Sequence, residues 1–327
     1  MKFVTSLLNR RAFVAVAAAS MLAGAMHPAP VSAADVTIPI IVKDTTSFYW
    51  QIVLAGARKA GKDLGINVPE LGAQAETDVN GQISILENAV AGNPAAIVIA
   101  PTEAKPIDEA ATKVKVIGID SSAESKAFTS FLTTDNVQGG RVAADGLAAA
   151  IGAANGGKVE GKVALITALP GAGSLEQRAQ GFKEQLKAKY PGLELVADKY
   201  ADGQATTGLN IATDLITANP DLKGIFASNL IMAQGVGQAI AENNLAGKVA
   251  LIGFDSDEKL IKFLNDGVIS GLVVQDPYRM GYDGIKTALA ASKGEKVEAN
   301  VDTGANLVTK DNMKDPKIDA LLNPKLN

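Results

Sequence analysis

The side chains able to do chemistry in this sequence gather just after short apolar runs. The run 36–42 is followed by Lys43-Asp44-Thr45-Thr46-Ser47-Phe48-Tyr49-Trp50, three adjacent aromatics that include the chain's only tryptophan. The run 96–100 leads into Pro101-Thr102-Glu103, 114–119 into Asp120-Ser121-Ser122, and 163–167 into the segment 171–178 with Glu176 and Arg178. Further on, 224–227 ends at Ser228-Asn229, 249–253 at Phe254-Asp255-Ser256, and 269–274 at Gln275-Asp276. Carboxylates accept from two neighbouring hydroxyls at once, and hydrogen bonds to charged groups are the stronger ones, about 1.5–3 kcal/mol each. Amides such as Asn229 and Gln275 both donate and accept, as a hydroxyl does. Aromatic faces at Tyr49 and Trp50 would cover the C–H patches of a sugar ring. Taken singly, an Asp after a strand more often caps the next helix. It is the recurrence at successive run ends that points to a polyhydroxylated ligand.

What is missing narrows the chemistry further. The chain has no cysteine, and its single histidine, His27, lies near the N-terminus. Beyond that point Ser-His and Cys-His nucleophilic pairs are excluded, as are zinc sites of the usual His/Cys type. Carboxylate-only catalysis stays open; a glycosidase would use a pair such as Asp120 and Asp255. Three motif-like segments fail. Gly152-Ala-Ala-Asn-Gly-Gly157-Lys158 continues with Val159 where a phosphate loop needs Ser or Thr, and it precedes a strand instead of following one. Gly171-Ala-Gly173 has Glu176 where a dinucleotide fingerprint needs its third glycine. Asp78-Val-Asn-Gly81 lacks the later ligands of a calcium loop and reads as a helix cap. No cofactor is implied.

The elements that must position these side chains alternate throughout. Helical spacing covers 51–64, 79–91, 139–151, 175–189, 206–218, 232–243, 257–266 and 278–292, and the apolar runs, with a further one at 193–197, fall between them. Gly65 ends the first helix, and Gly92-Asn93-Pro94 ends the second. Continuous apolar strands separated by helices imply parallel sheets covered on both faces, with right-handed crossovers. Ligands then belong at the carboxyl ends of the strands. The chain exceeds one such core, so two domains are expected. No Pro/Ser-rich linker is present, and the run Phe131-Leu-Thr-Thr-Asp-Asn136 reads as ordered backbone crossing between them.

The N-terminus reads as an export signal. Lys2, Arg10 and Arg11 precede an apolar stretch, 12–25, too short to span a bilayer. Val31-Ser-Ala33 then predicts cleavage before Ala34. Arg10-Arg11 also hints at a twin-arginine route. Removing residues 1–33 takes away three of 31 basic and none of 35 acidic residues, so the mature charge is 28 − 35 = −7. That balance argues against nucleic acid or an anionic membrane as partner. No residue pattern signals oligomerisation, and a monomer is expected.

Several of these segments together resemble the ribose-binding-protein branch of type I periplasmic sugar-binding proteins. They are Val116-Ile-Gly-Ile-Asp120, Thr133-Thr-Asp-Asn-Val-Gln-Gly-Gly140, Gly208-Leu-Asn210, Ile225-Phe-Ala-Ser-Asn229, and Ile252-Gly-Phe-Asp255 with Gln275. The resemblance implies an α/β fold of two doubly wound parallel-sheet domains joined by a three-strand hinge near 134–135, 275–276 and 303–304. The lobes would be 34–134 with 276–303, and 135–275 with 304–327. It implies capture of a monosaccharide or polyol between the lobes by hinge closure, without catalysis, and delivery to the permease and ATPase of an ABC importer. A chemoreceptor is a further conceivable reader of the closed form. Implied contacts are Ser47, Tyr49, Trp50, Asp120, Asn229, Phe254, Asp255 and Gln275, and Ser121, Glu176 and Arg178 are three further candidate contacts, making eleven. The chain departs from the ribose binders at Ala100 (Asn in them), Ser121 (Arg), Gly203 (an aromatic) and Glu176 (an Arg, with Arg178 two residues on). These departures suggest a ligand other than ribose, such as a larger sugar, a polyol or, if Glu176 faces the pocket, an amino sugar. A sugar-responsive regulator shares this fold but would need a basic DNA-binding segment where the export signal stands.

Overall fold

The computed structural model describes residues 36–121, 125–324 and 326; the expected export signal and its cleavage site lie outside them. The first half of the chain runs β1 (Ile40–Val42), α1 (Phe48–Leu64), β2 (Glu70–Gly72), α2 (Val79–Ala91), β3 (Ile97–Ile99), α3 (Ala104–Ala111), β4 (Val116–Ile119) and β5 (Ser130–Thr133). There follow α4 (Asn136–Ala154), β6 (Gly161–Thr167), α5 (Gly173–Lys189), β7 (Leu193–Tyr200), α6 (Ala205–Ala218), β8 (Leu222–Ala227), α7 (Leu230–Glu242), β9 (Ala250–Phe254), α8 (Glu258–Asn265) and β10 (Gly271–Gln275). The chain closes with α9 (Pro277–Ser292), β11 (Asn300–Asp302), β12 (Ala305–Val308) and α10 (Pro316–Leu322).

The strands form two six-stranded sheets, ordered β11-β5-β4-β3-β1-β2 and β12-β10-β9-β8-β6-β7. Read from the edge strands β11 and β12, the two orders follow the same arrangement. Every described pairing is parallel except β10 with β12, which is antiparallel and departs from the all-parallel expectation. The alternation along each strand explains the continuous apolar runs. In β1 and β3, Ile40, Val42 and Val98 pack on one face while Ile41, Ile97 and Ile99 pack on the other. In the second sheet Ile166, Ala227 and Leu251 face one way, and Leu165, Phe226 and Ile252 the other. Both faces are dry, so there is no polar side for a period-two pattern to mark.

Local chemistry sets the helix ends. Gly65 takes the left-handed conformation that stops α1, at φ 69°. Asp78 and Asp135 cap α2 and α4 by accepting from the backbone N–H of Gly81 and Gln138. The helix 139–151 therefore starts earlier than its apolar spacing suggests, at Asn136.

Two helices change sheets. The first, α4, leaves β5 of the first sheet and buries Ala143, Ala144 and Leu147 against the second. In turn α9 leaves β10 of the second sheet and buries Ile285, Ala288 and Leu289 against the first. Glycines let these helices seat backbone to backbone. A Cβ at Gly181 of α5 would lie 1.9 Å from the Val137 carbonyl oxygen of α4, and one at Gly140 would lie 2.0 Å from that of Arg178. The α1–α9 pair repeats this: a Cβ at Gly56 would meet the Tyr278 carbonyl oxygen at 2.0 Å, and one at Gly281 that of Val53 at 1.9 Å. The third passage between the sheets is the β11–β12 link. It lies beside the first, with Thr303 N–H donating to the Thr133 carbonyl at 2.8 Å and Thr134 Oγ1 to that of Gly304 at 3.2 Å.

Candidate ligand-binding site

The carboxyl ends of both sheets border one cavity. From the first sheet's side come Lys43 at the end of β1, Ser47, Tyr49 and Trp50 at the start of α1, Glu76 in the β2–α2 loop, and Asp120 after β4. From the second come Ala172, Ser174, Leu175 and Arg178 around the start of α5, then Asn229, Leu230 and Ile231, Asp255 after β9, and Gln275 at the end of β10. Polar groups thus alternate with small apolar patches and two aromatic side chains.

Asp120 is the hub of the first sheet's share. Its Oδ1 accepts from the Tyr49 hydroxyl at 2.7 Å and its Oδ2 from the Ser121 hydroxyl at 2.8 Å. Lys43 Nζ donates to Ser121 Oγ at 2.6 Å and stands 3.7 Å from Asp120 Oδ2. The Ser121 hydroxyl also lies 2.9 Å from that of Ser174, a buried contact that joins the two sides of the cavity. Trp50 packs edge-on against Tyr49, with ring centroids 4.9 Å apart, and donates its indole N–H to Glu76 Oε1 at 2.8 Å.

Arg178 organises the opposite side. Its Nε donates to Asn136 Oδ1 and its Nη1 to the Ser228 carbonyl, both at 2.9 Å, while the guanidinium lies 3.6 Å above the Phe254 ring. Gln275 Nε2 donates to Asp255 Oδ1 at 2.8 Å. Burial is the main reason the Asp255 carboxyl is pushed up to about 6, against the opposing pull of Arg178 and Gln275; the charges of Asp120 and Glu76 push the same way as burial. Burial also raises Glu76, partly offset by Lys43 and the Trp50 hydrogen bond. The Tyr49 hydroxyl is raised well above its ordinary value, by burial first and then by Asp120 and Asp255.

Eight of the eleven expected contacts line this cavity: Ser47, Tyr49, Trp50, Asp120, Arg178, Asn229, Asp255 and Gln275. Ser121 stands just behind, bonded to Lys43, Asp120 and Ser174. Phe254 is fully buried in the core and supports Arg178 from below. Glu176 points elsewhere. Its carboxylate accepts from the Tyr200 hydroxyl at 2.9 Å and from Gly171 N–H at 3.0 Å. Helical geometry separates them: Ser174 and Arg178 are four residues apart on one face, and Glu176 falls between them on the other. Two departures that suggested a larger ligand, Ala100 and Gly203, do not line the cavity. The carbonyl of Ala100 is instead bonded by Gln82 Nε2 at 2.9 Å. Lys43, Glu76, Ser174 and Leu175 were not expected. Lys43 and Ser174 had a signal, since each sits in a segment following a strand, whereas Glu76 follows a short edge strand with little apolar pattern.

Residues 38–296 match the family model described as periplasmic binding protein domain. This chain belongs to the periplasmic binding protein family. The two mostly parallel six-stranded sheets are the type I form of its fold. A carbohydrate transporter solute binding protein from Agrobacterium radiobacter, solved in complex with D-arabinose, is 79% identical. It superposes with a TM-score of 0.87 over 89% of this chain and 100% of that one. An ABC transporter solute binding protein from Agrobacterium vitis with bound D-fucose is 37% identical, with a TM-score of 0.82 over 88% of this chain and 100% of that one. The ribose import binding protein of Escherichia coli is 29% identical over 282 residues, covering 84% of this chain and 90% of that protein. The D-allose-binding periplasmic protein of the same organism is 30% identical over 270 residues, covering 79% and 85%. These binding proteins are solute carriers and not enzymes, which sets aside carboxylate catalysis by Asp120 and Asp255.

Proposed function

We propose that this protein captures a monosaccharide of the pentose class, with D-arabinose as the first candidate, for an ABC importer. The observation that carries the reading is the cavity itself. Charged hydrogen-bonding groups from two sheets, Asp120 with Lys43 and Asp255 with Arg178, face one space beside the aromatic side chains of Tyr49 and Trp50. Such a set suits neighbouring hydroxyls on a small ring. The 79% identical solute binding protein holds D-arabinose, which supports the pentose. With Glu176 turned away from the cavity and Ala100 and Gly203 outside its lining, the arguments for an amino sugar and for a larger sugar lose their footing. The cation that Ser121 lacks is supplied nearby by Lys43.

The lobes are residues 34–134 with 276–303 and residues 135–275 with 304–327, hinged at the three passages between the sheets. Sugar binding favours the closed arrangement because it bridges groups from both sides. The closed form then docks on the permease, whose ATPase drives uptake. Export by the N-terminal signal, with cleavage before Ala34, delivers the protein to the periplasm.

A titration by calorimetry with D-arabinose, D-ribose, D-fucose and D-allose, joined to small-angle scattering, tests this. The expected result is tightest binding of D-arabinose and a smaller radius of gyration at saturation. No heat with any of the four sugars would overturn the ligand class, and binding without compaction would overturn the closure.

A further inference from the structure

Among the cavity carboxylates, Glu76 and Asp255 each have a side-chain hydrogen bond on one oxygen, unlike Asp120, and it is Glu76 whose bond goes to the chain's only tryptophan. Asp120 has both oxygens engaged by protein hydroxyls, with Lys43 alongside. Asp255 accepts from Gln275 at Oδ1, with the Arg178 charge near enough to favour its ionised form but outside ion-pairing distance. Glu76 is half-buried on the cavity wall and accepts from the indole N–H of Trp50 at Oε1. Among the described residues no lysine or arginine nitrogen comes within ion-pairing distance of it; Lys43, the cation nearest in effect, is committed to Ser121 and Asp120. A carboxylate has about four acceptor positions, and one kept from water needs partners to offset the lost solvation. Here the Trp50 hydrogen bond occupies one oxygen and leaves the other for whatever fills the cavity.

The Trp50 contact has its own consequence. Trp50 is buried, stacks edge-on against Tyr49, and Tyr49 is in turn tied to Asp120. Glu76 thus anchors the far end of a chain, Glu76–Trp50–Tyr49–Asp120, that sets the aromatic wall of the cavity.

We propose that Glu76 is a specificity-determining residue that divides its carboxylate between protein and ligand: Oε1 orients the indole of Trp50, and Oε2 accepts one particular sugar hydroxyl. The inference rests on the pentose-binding reading above and adds a contact to it. Glu76→Gln keeps an acceptor for Trp50 and puts an amide donor where the free oxygen was, whereas Glu76→Ala removes both.

The test is calorimetry of the wild-type protein and both variants with D-arabinose and its 1-, 2-, 3-, 4- and 5-deoxy analogues, alongside tryptophan fluorescence. Trp50 is the sole tryptophan, so its emission reports this site alone. Glu76→Gln should weaken D-arabinose binding at least tenfold yet change the affinity for one monodeoxy analogue by less than twofold. Its ligand-free emission should match the wild type, and that of Glu76→Ala should shift. Equal losses for every sugar, no loss for D-arabinose, or an unshifted Glu76→Ala spectrum would overturn the proposal while leaving sugar capture standing. A wild-type protein that bound none of these pentoses would instead overturn the capture reading, and the hydroxyl contact with it.

Discussion

Asp120 and Asp255 occupy the same place in two copies of one local structure. Each follows a strand of the pattern Ile-Gly-apolar, each holds a left-handed backbone at φ 63° and 66°, and each donates its N–H to the next strand, Asp120 to Leu132 and Asp255 to Val273. The two carboxylates therefore approach the cavity from equivalent points of the two sheets. Left-handed backbone costs most residues about 1–2 kcal/mol, and Asp and Asn bear it best.

That conformation separates charge from backbone in a mutational test. Asp120→Asn and Asp255→Asn should each weaken D-arabinose binding at least tenfold in calorimetry, with little change in stability at pH 4, where the folded protein holds Asp255 protonated. The corresponding Ala variants should lose the same affinity and a further ~1 kcal/mol in urea denaturation, because alanine resists positive φ. Unchanged affinity in both Asn variants would remove these residues from the site.

Asp255 also makes stability depend on pH. A carboxyl at about 6 in the folded protein, against an ordinary value of 3.8, binds its proton more tightly when folded. Its contribution favours the folded state fully below the unfolded value and is lost as the pH rises through about 6. Two pKa units correspond to an upper limit of about 3 kcal/mol. Urea denaturation of the ligand-free protein from pH 4 to 7.5 should show wild type losing stability relative to Asp255→Asn across that window. Parallel profiles would refute the assignment. Hydroxyls donating to the ionised carboxylate should also make sugar affinity rise with pH up to about 6 and then level off, and Asp255→Asn should flatten that rise.

Arg178 should not tolerate lysine. A single ammonium cannot serve Asn136, the Ser228 carbonyl and the Phe254 face together. Each buried group left without a partner costs about 1–3 kcal/mol. Arg178→Lys should therefore lower both the urea midpoint and D-arabinose affinity, the latter at least tenfold. Glu176→Gln, outside the cavity, should leave affinity within twofold in the same titration.

Helix seating offers a test remote from the site. Gly181→Ala would gain about 1 kcal/mol in helix propensity, but its methyl would meet the Val137 carbonyl oxygen at 1.9 Å. Overpacking of this kind should give a net loss of at least ~2 kcal/mol in urea denaturation. Gly156→Ala, at φ 63° with nothing within 4 Å, should cost only about 1 kcal/mol. A stabilised Gly181→Ala would contradict the close α4–α5 seating.

Much of this architecture was legible because strand and helix periods differ. Runs such as 116–119 and 163–166, with no polar side chain at any position, could be satisfied only by sheets covered on both faces. Caps at Asp78 and Asp135 and the stop at Gly65 were equally local. Less was legible where the signal is short or non-local. The three-residue strand β2 is half-exposed and carries no apolar run, so the loop that brings Glu76 to the cavity left no trace in the pattern. The antiparallel β12 likewise depends on which strand edge it meets, which no local spacing encodes.

By itself the sequence determined the alternating α/β plan, the polar groups at successive strand ends, and a chain without cysteine and with one histidine at its N-terminal end. These follow from residue type and near-neighbour spacing. Only the tertiary structure decided which of those polar groups share a cavity. It turned Glu176 outward by two residues of helical rotation and placed Phe254 beneath Arg178. It also brought Ser121 to within 2.9 Å of Ser174, 53 residues away. Such contacts arise where two sheets meet, and their geometry is set by packing between elements far apart in the chain.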